Sequence, residues 1–139
     1  MEYKKFGSKY VIRLDRGEEI VESIKRFIQE TNVKLANVTG IGAADKVTIG
    51  LYDVNKRKYI SNDYEGEYEI TALIGNISSI ENEPYLHLHI TIGDEKNRAF
   101  GGHLNSASIS ATCEIFVDVY EGELDRIHDD NIGLNILKF

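Results

Sequence analysis

The chain has 139 residues, 42% of them hydrophobic and 28% charged, with a formal net charge of -7 at neutral pH. That length supports one domain able to bury a core without disulfides or a structural metal, and no apolar run approaches the roughly 20 residues of a membrane span. The acidic balance argues against general affinity for a nucleic-acid backbone, because such binding depends on lysine and arginine displacing counterions.

The N-terminal run MEYKKFGSKYVIRL lacks the apolar stretch and small-residue cleavage site of a signal peptide, so cytoplasmic residence is the expectation. Residues 9–14 read as a strand. One helix is expected over 17–30, where Ile20, Ile24, Phe27 and Ile28 recur at helical spacing with Val21 beside them. Asp15 followed by Glu18 has the form of a capping box at its start. The opposite face, with Glu22, Lys25, Arg26 and Gln29, is polar and expected in solvent.

Further strands are expected at 34–38, 46–53, 68–77, 86–93, 111–120 and 134–137, with Asn62 and Asp63, or Glu65 and Gly66, as separators. The fold class is α+β: a central, largely antiparallel sheet with one main amphipathic helix, in a single domain spanning 1–139. The run TGIGAAD at 39–45 has the glycines of a dinucleotide loop, Gly40 and Gly42. Such a loop must open a helix whose N-terminal amides hold phosphate, yet Val47, Ile49 and Leu51 continue as a strand, so a tight connection with positive φ is expected instead. Lys56, Arg57 and Lys58 form a basic triplet at an expected hairpin tip.

The run YLHLHITIGDEKNRAFGGHL at 85–104 holds three of the four histidines. Side chains two apart on a strand share a face, so His87 and His89 project side by side. The other face carries Leu86, Leu88, Ile90 and Ile92, the pattern of a strand laid on a core. The histidine face, with Tyr85 and Thr91, therefore looks onto a pocket, a groove or a neighbouring subunit. Whether His103 joins the pair depends on register. An even loop after Gly93 places His103 opposite Leu88 and on the wrong face. An odd loop, or a bulge at Gly101 and Gly102, places it correctly; service to another subunit is the alternative. Zinc binds imidazole nitrogen at about 2.0 to 2.1 Å, so three ligands must converge on one point. The competing reading is three hydrogen-bonded histidines at a subunit interface.

Other chemistries find less support. The single cysteine, Cys113, falls on the aliphatic side of its run with Ala111, Ile115, Val117 and Val119, as a buried thiol. Ser106, Ser108 and Ser110 lack a nucleophile elbow. Asp94 and Glu95 read as turn residues, and His128 as a solvent-exposed loop histidine. Glu114, on the polar face of its strand, is a candidate to orient a histidine ring from behind.

The segments TGIGA at 39–43, GEYEI at 66–70 and HLHITIGDEKNRAFGGHL at 87–104 together resemble the plants-and-prokaryotes conserved (PPC) domain, with similarity over essentially the whole chain. The resemblance implies a compact domain with a central antiparallel sheet, assembly as a homotrimer, and a metal site on His87, His89 and His103. Plant members bind DNA through a separate basic A·T-hook segment, which this chain lacks; it also carries Glu67 where the plant motif tends to have arginine. Three functional readings follow: a small trimeric protein with a three-histidine zinc site and a binding or regulatory role, associated with DNA or DNA-bound proteins as the family label suggests; a metal-dependent hydrolase or lyase; and a DNA-binding regulator in its own right.

Overall fold

The computed structural model describes all 139 residues. The chain runs β1 (Glu2–Phe6), β2 (Lys9–Asp15), α1 (Ile20–Thr31), β3 (Ala36–Asp53), β4 (Lys58–Ile80), β5 (Glu83–Gly93), β6 (Ala99–Val119), β7 (Arg126–Asp129) and β8 (Leu134–Leu137). Six strands form one antiparallel sheet in the order β1-β2-β6-β3-β4-β5. β5 also pairs with the start of β6, so the sheet curls back on itself. The α+β expectation is met. No helix is long and apolar enough to cross a membrane.

The helix buries Ile20, Ile24, Phe27 and Ile28 against the inner face of the sheet, as its apolar spacing predicts. It starts later than expected, because Gly17 sits at φ +86 and cannot be helical. Asp15 and Glu18 do pair, the Asp15 amide donating to Glu18 Oε2 at 2.9 Å, but they close a turn ahead of the helix. The N-cap is Glu19, which accepts from the Glu22 amide at 2.7 Å and from the Ala107 amide of β6 at 2.8 Å, anchoring the helix start to the sheet. The helix ends at Asn32, whose left-handed φ of 55 stops it.

The long strands correct the expected boundaries. TGIGAAD is no tight connection: β3 passes straight through it, and neither Gly40 nor Gly42 has a positive φ. Gly42 is needed for close approach, since a Cβ there would lie 2.5 Å from the Thr112 carbonyl oxygen and 2.7 Å from Cys113 Cα. Residues 62, 63, 65 and 66 likewise lie within β4. There, Gly66 at φ +140 and register shifts between Ala44 and Lys46 bend the hairpin without ending it. β1 and β7, both short, were not expected. β7 pairs with β8, and this C-terminal hairpin is tied to the sheet where the Ser79 amide donates to the Leu124 carbonyl at 3.1 Å.

Candidate metal centre

Register decides the site. Gly93 pairs with Ala99 and His89 with His103, so the connecting loop holds five residues, 94–98, an odd number. Asp94 shapes that loop: its carboxylate accepts from the amides of Lys96 and Arg98 and from Arg98 Nε, at 2.7 to 2.9 Å. Asn97 supplies the left-handed residue, at φ 58. There is no bulge at Gly101 and Gly102. These glycines instead permit close packing, because a Cβ on Gly102 would lie 2.7 Å from the Gly50 carbonyl oxygen and one on Gly101 3.0 Å from that of Ile90.

His87, His89 and His103 consequently share one face, with ring centroids 5.2 to 5.6 Å apart. Each offers a ring nitrogen, and the three nitrogens lie within 4.8 Å of one another. Three imidazoles on one tetrahedral zinc require about 3.4 Å between nitrogens. Small side-chain rotations close that difference, so the donor set fits a divalent ion that favours imidazole.

Burial depresses the His87 pKa to about 4, and the charge of Arg126 followed by the other two imidazoles adds to the effect. His103 is lowered by burial and then by His89. Both are therefore neutral near pH 7, the form that ligates metal.

The cluster forms one wall of a cavity of about 530 Å³, lined also by Tyr52, Tyr59, Tyr85, Arg126, Leu134 and Asn135. Tyr59 lies edge-on to His103, with centroids 6.3 Å apart, and its hydroxyl donates to Asn105 Oδ1 at 2.7 Å. Gly50 makes this possible, since a Cβ there would overlap the Tyr59 ring. Arg126 is 6% exposed. It donates from Nε to Ser78 Oγ at 2.8 Å, from Nη1 to the Asn135 carbonyl at 2.9 Å and from Nη2 to Asn76 Oδ1 at 2.9 Å, and it stacks 4.7 Å from the centroid of Tyr85.

The other expected residues fall elsewhere. Tyr85 lines the cavity and Thr91 does not. Glu114 is eleven residues along β6 from His103, opposite Ile41 of β3, and lines a different cavity of about 660 Å³ with Glu69 and Thr71. Within one chain it cannot orient a histidine ring. His128 is exposed as expected, but on β7 and not in a loop, with Nδ1 3.0 Å from Asn135 Oδ1. Cys113 is buried, and burial pushes its thiol up to about 12. Ala111, expected beside it in the core, is exposed, because a register irregularity between β3 and β6 pushes it out.

Sequence reasoning missed Tyr59 and Arg126. Arg126 stands in the acidic run ELDRIHDDN, which looks like a solvated loop. Its only signal was being the one cation there.

A single antiparallel α+β domain with a three-histidine cluster on its outer face defines the class. The chain belongs to the Plants and Prokaryotes Conserved (PCC) domain family, whose pattern matches residues 1–121. Among solved structures it is similar to a candidate DNA-binding protein from Bacteroides thetaiotaomicron, with a TM-score of 0.97 and 35% identity over 99% of this chain and 96% of that one. It is also similar to a metal-containing protein from Archaeoglobus fulgidus, with a TM-score of 0.89 and 32% identity over 100% and 99%. Among curated proteins it is 28% identical over 127 residues to the bifunctional protein GlmU of Synechococcus sp. (strain JA-3-3Ab), covering 89% of this chain. The chain spans only 19% of that relative's length.

Proposed function

We propose that this protein is a small trimeric PCC-domain protein that holds one divalent metal ion, zinc, on His87, His89 and His103 and serves a binding or regulatory role. The observation that carries this reading is the convergence of three imidazoles from two paired strands to within 4.8 Å. The metal-containing relative from Archaeoglobus fulgidus supports it. So does an apolar stripe on the outer face: Ile74 and Phe116, 54% and 49% exposed, flank Thr39 across three paired strands, beside Ile41 at 58%. A partner subunit would cover such a stripe.

The test is metal content by plasma mass spectrometry on untagged protein, beside His87→Ala and His103→Ala variants. Close to one zinc per chain, lost in both variants, is expected. A folded wild type that neither carries nor takes up zinc would remove the reading.

A metal-dependent hydrolase or lyase is the second reading, favoured by the cavity beside the cluster, where three protein ligands leave a fourth zinc position for water. Tyr59, not Glu114, is then the polar group at hand to handle a proton. Zinc-dependent turnover that Tyr59→Phe abolishes while zinc is retained would favour it.

Association with DNA is supported by the candidate DNA-binding relative from Bacteroides thetaiotaomicron. The local chemistry points the other way: Lys56 pairs with Asp53, and Arg57 donates to the carbonyls of Asp130 and Asn131 at 2.8 and 3.0 Å. Retardation of a DNA fragment that disappears steeply with salt would establish direct binding.

A further inference from the structure

We propose that the cavity beside the three histidines binds a small organic oxyanion, a carboxylate or phosphate monoester, whose charged end is held by Arg126 and whose other end faces the metal position. The second half of this statement rests on the metal reading above; the first does not.

The cavity has an unbalanced charge. Arg126 is almost wholly buried, and no carboxylate lies within ion-pairing distance of it. Its three partners, Ser78, Asn135 and Asn76, are neutral oxygens. No aspartate or glutamate lines the cavity. A chain with a net charge of -7 thus encloses a positive chamber. A divalent ion on the histidines, which line the same cavity as Arg126, would raise its charge further. Burying an unpaired cation is costly, and a bound anion offsets that cost for both centres at once.

The donor count agrees. A guanidinium has five N–H donors, and the three named bonds use Nε and one N–H on each terminal nitrogen. One N–H remains on Nη1 and one on Nη2, two donors for the oxygens of an anion. Arg126 is fixed over Tyr85, and Tyr85 precedes His87 by two residues on one strand face, a spacing of about 7 Å. The cavity of about 530 Å³, with Arg126 and His87 both on its wall, has room for a molecule of a few carbon atoms. Arg126 and Asn135 both come from the C-terminal hairpin, so that hairpin brings a recognition element to the histidines of β5 and β6.

The test is calorimetric titration of inorganic phosphate, and separately of malonate, into the full chain, metal-free and zinc-loaded, for wild type and Arg126→Gln. Wild type is expected to bind at least one of the two anions, and the variant to bind it at least tenfold more weakly. The anion that binds more tightly distinguishes the phosphate from the carboxylate class. Because Arg126→Gln removes three hydrogen bonds, a second measurement uses wild type alone: the Arg126 Nε–H resonance should shift and saturate as the anion is added. Equal affinity in both proteins, or no anion binding and no shift in either metal state, would overturn the proposal. Zinc uptake is read in the same samples. Zinc without Arg126-dependent anion binding leaves the metal reading intact and ends this one; Arg126-dependent anion binding without zinc uptake ends the metal reading and the second half of this one, and establishes the first.

Discussion

At the scale of single residues, the histidine cluster depends on positions that carry no chemistry. Gly75 of β4 pairs with Leu88 between the two histidines of β5, and a Cβ there would lie only 2.0 Å from the His87 carbonyl oxygen and 2.8 Å from Leu88 Cα. Those are backbone atoms, which cannot rotate away. Gly75→Ala should therefore push β5 outward, lowering stability by roughly 1 to 3 kcal/mol and weakening zinc binding as His87 leaves its partners. Denaturant melts and a zinc titration check both, and an unchanged zinc affinity would show that the cluster tolerates strand displacement. Cys113 behaves oppositely, as a reactive residue type made inert. With its thiol pushed up to about 12 by burial and then by the nearby charge of Glu114, it should resist thiol reagents at pH 8 in the native protein and react fully once unfolded. The raised pKa also fixes a sign. Above about pH 8.5 the unfolded thiol ionises while the folded one keeps its proton, so the folded state binds more protons and this group's contribution to stability falls as pH rises. Rapid native labelling at pH 8 would contradict that assignment.

At the scale of elements, loop 94–98 controls whether the third histidine arrives. Its odd length sets the register, and Asp94 holds it through three bonds from Lys96 and Arg98. The Arg98 side-chain hydrogen bond, with backbone help, keeps the Asp94 carboxyl below its usual value. Its contribution is therefore present above the ordinary aspartate range and lost as pH falls through the lowered folded pKa. Asp94→Ala should fray this hairpin, seen as faster hydrogen exchange at the amides of Lys96 and Arg98; unchanged exchange would mean the register is set elsewhere. Much of this was legible in the sequence. Alternation in residues 85–92 reveals the core face and the paired histidines, and the parity requirement follows from strand geometry alone. The spacing of Ile20, Ile24, Phe27 and Ile28 likewise gives the helix. What was not legible has a common cause. Turn-forming residues such as Asn62, Asp63 and Gly66 look like strand ends, yet paired neighbours carry β4 through them, a tertiary effect that no local pattern encodes. β7 is four residues long, too short for alternation to be recognised, and so Arg126 could not be placed beside histidines some 40 positions earlier.

At the scale of the whole molecule, the two faces of the sheet differ in what covers them. The inner face is sealed by α1 and the curl of the strands, whereas on the outer face Ile74 pairs with Thr39 on one side and His89 on the other. The apolar stripe through Ile74 and Phe116 thus runs directly into the histidine cluster. Covering that stripe with other copies of the chain would shield the cluster from solvent, which links assembly to the site's chemistry. For a chain of 15.7 kDa, a trimer has about three times that mass, near 47 kDa. Light scattering should give this mass for wild type and the monomer mass for an Ile74→Asp, Phe116→Asp double variant, because each substitution places a carboxylate in an interface that excludes water. Both residues point away from the core, so the variant should keep its strand content by circular dichroism. Its zinc content then separates two ways of building the site. All three histidines come from one chain, so a monomer should still take up one zinc, only more weakly and with faster exchange. A folded monomer unable to bind zinc would mean that a neighbouring subunit completes the coordination, and a wild type already running at 15.7 kDa would refute the trimer outright.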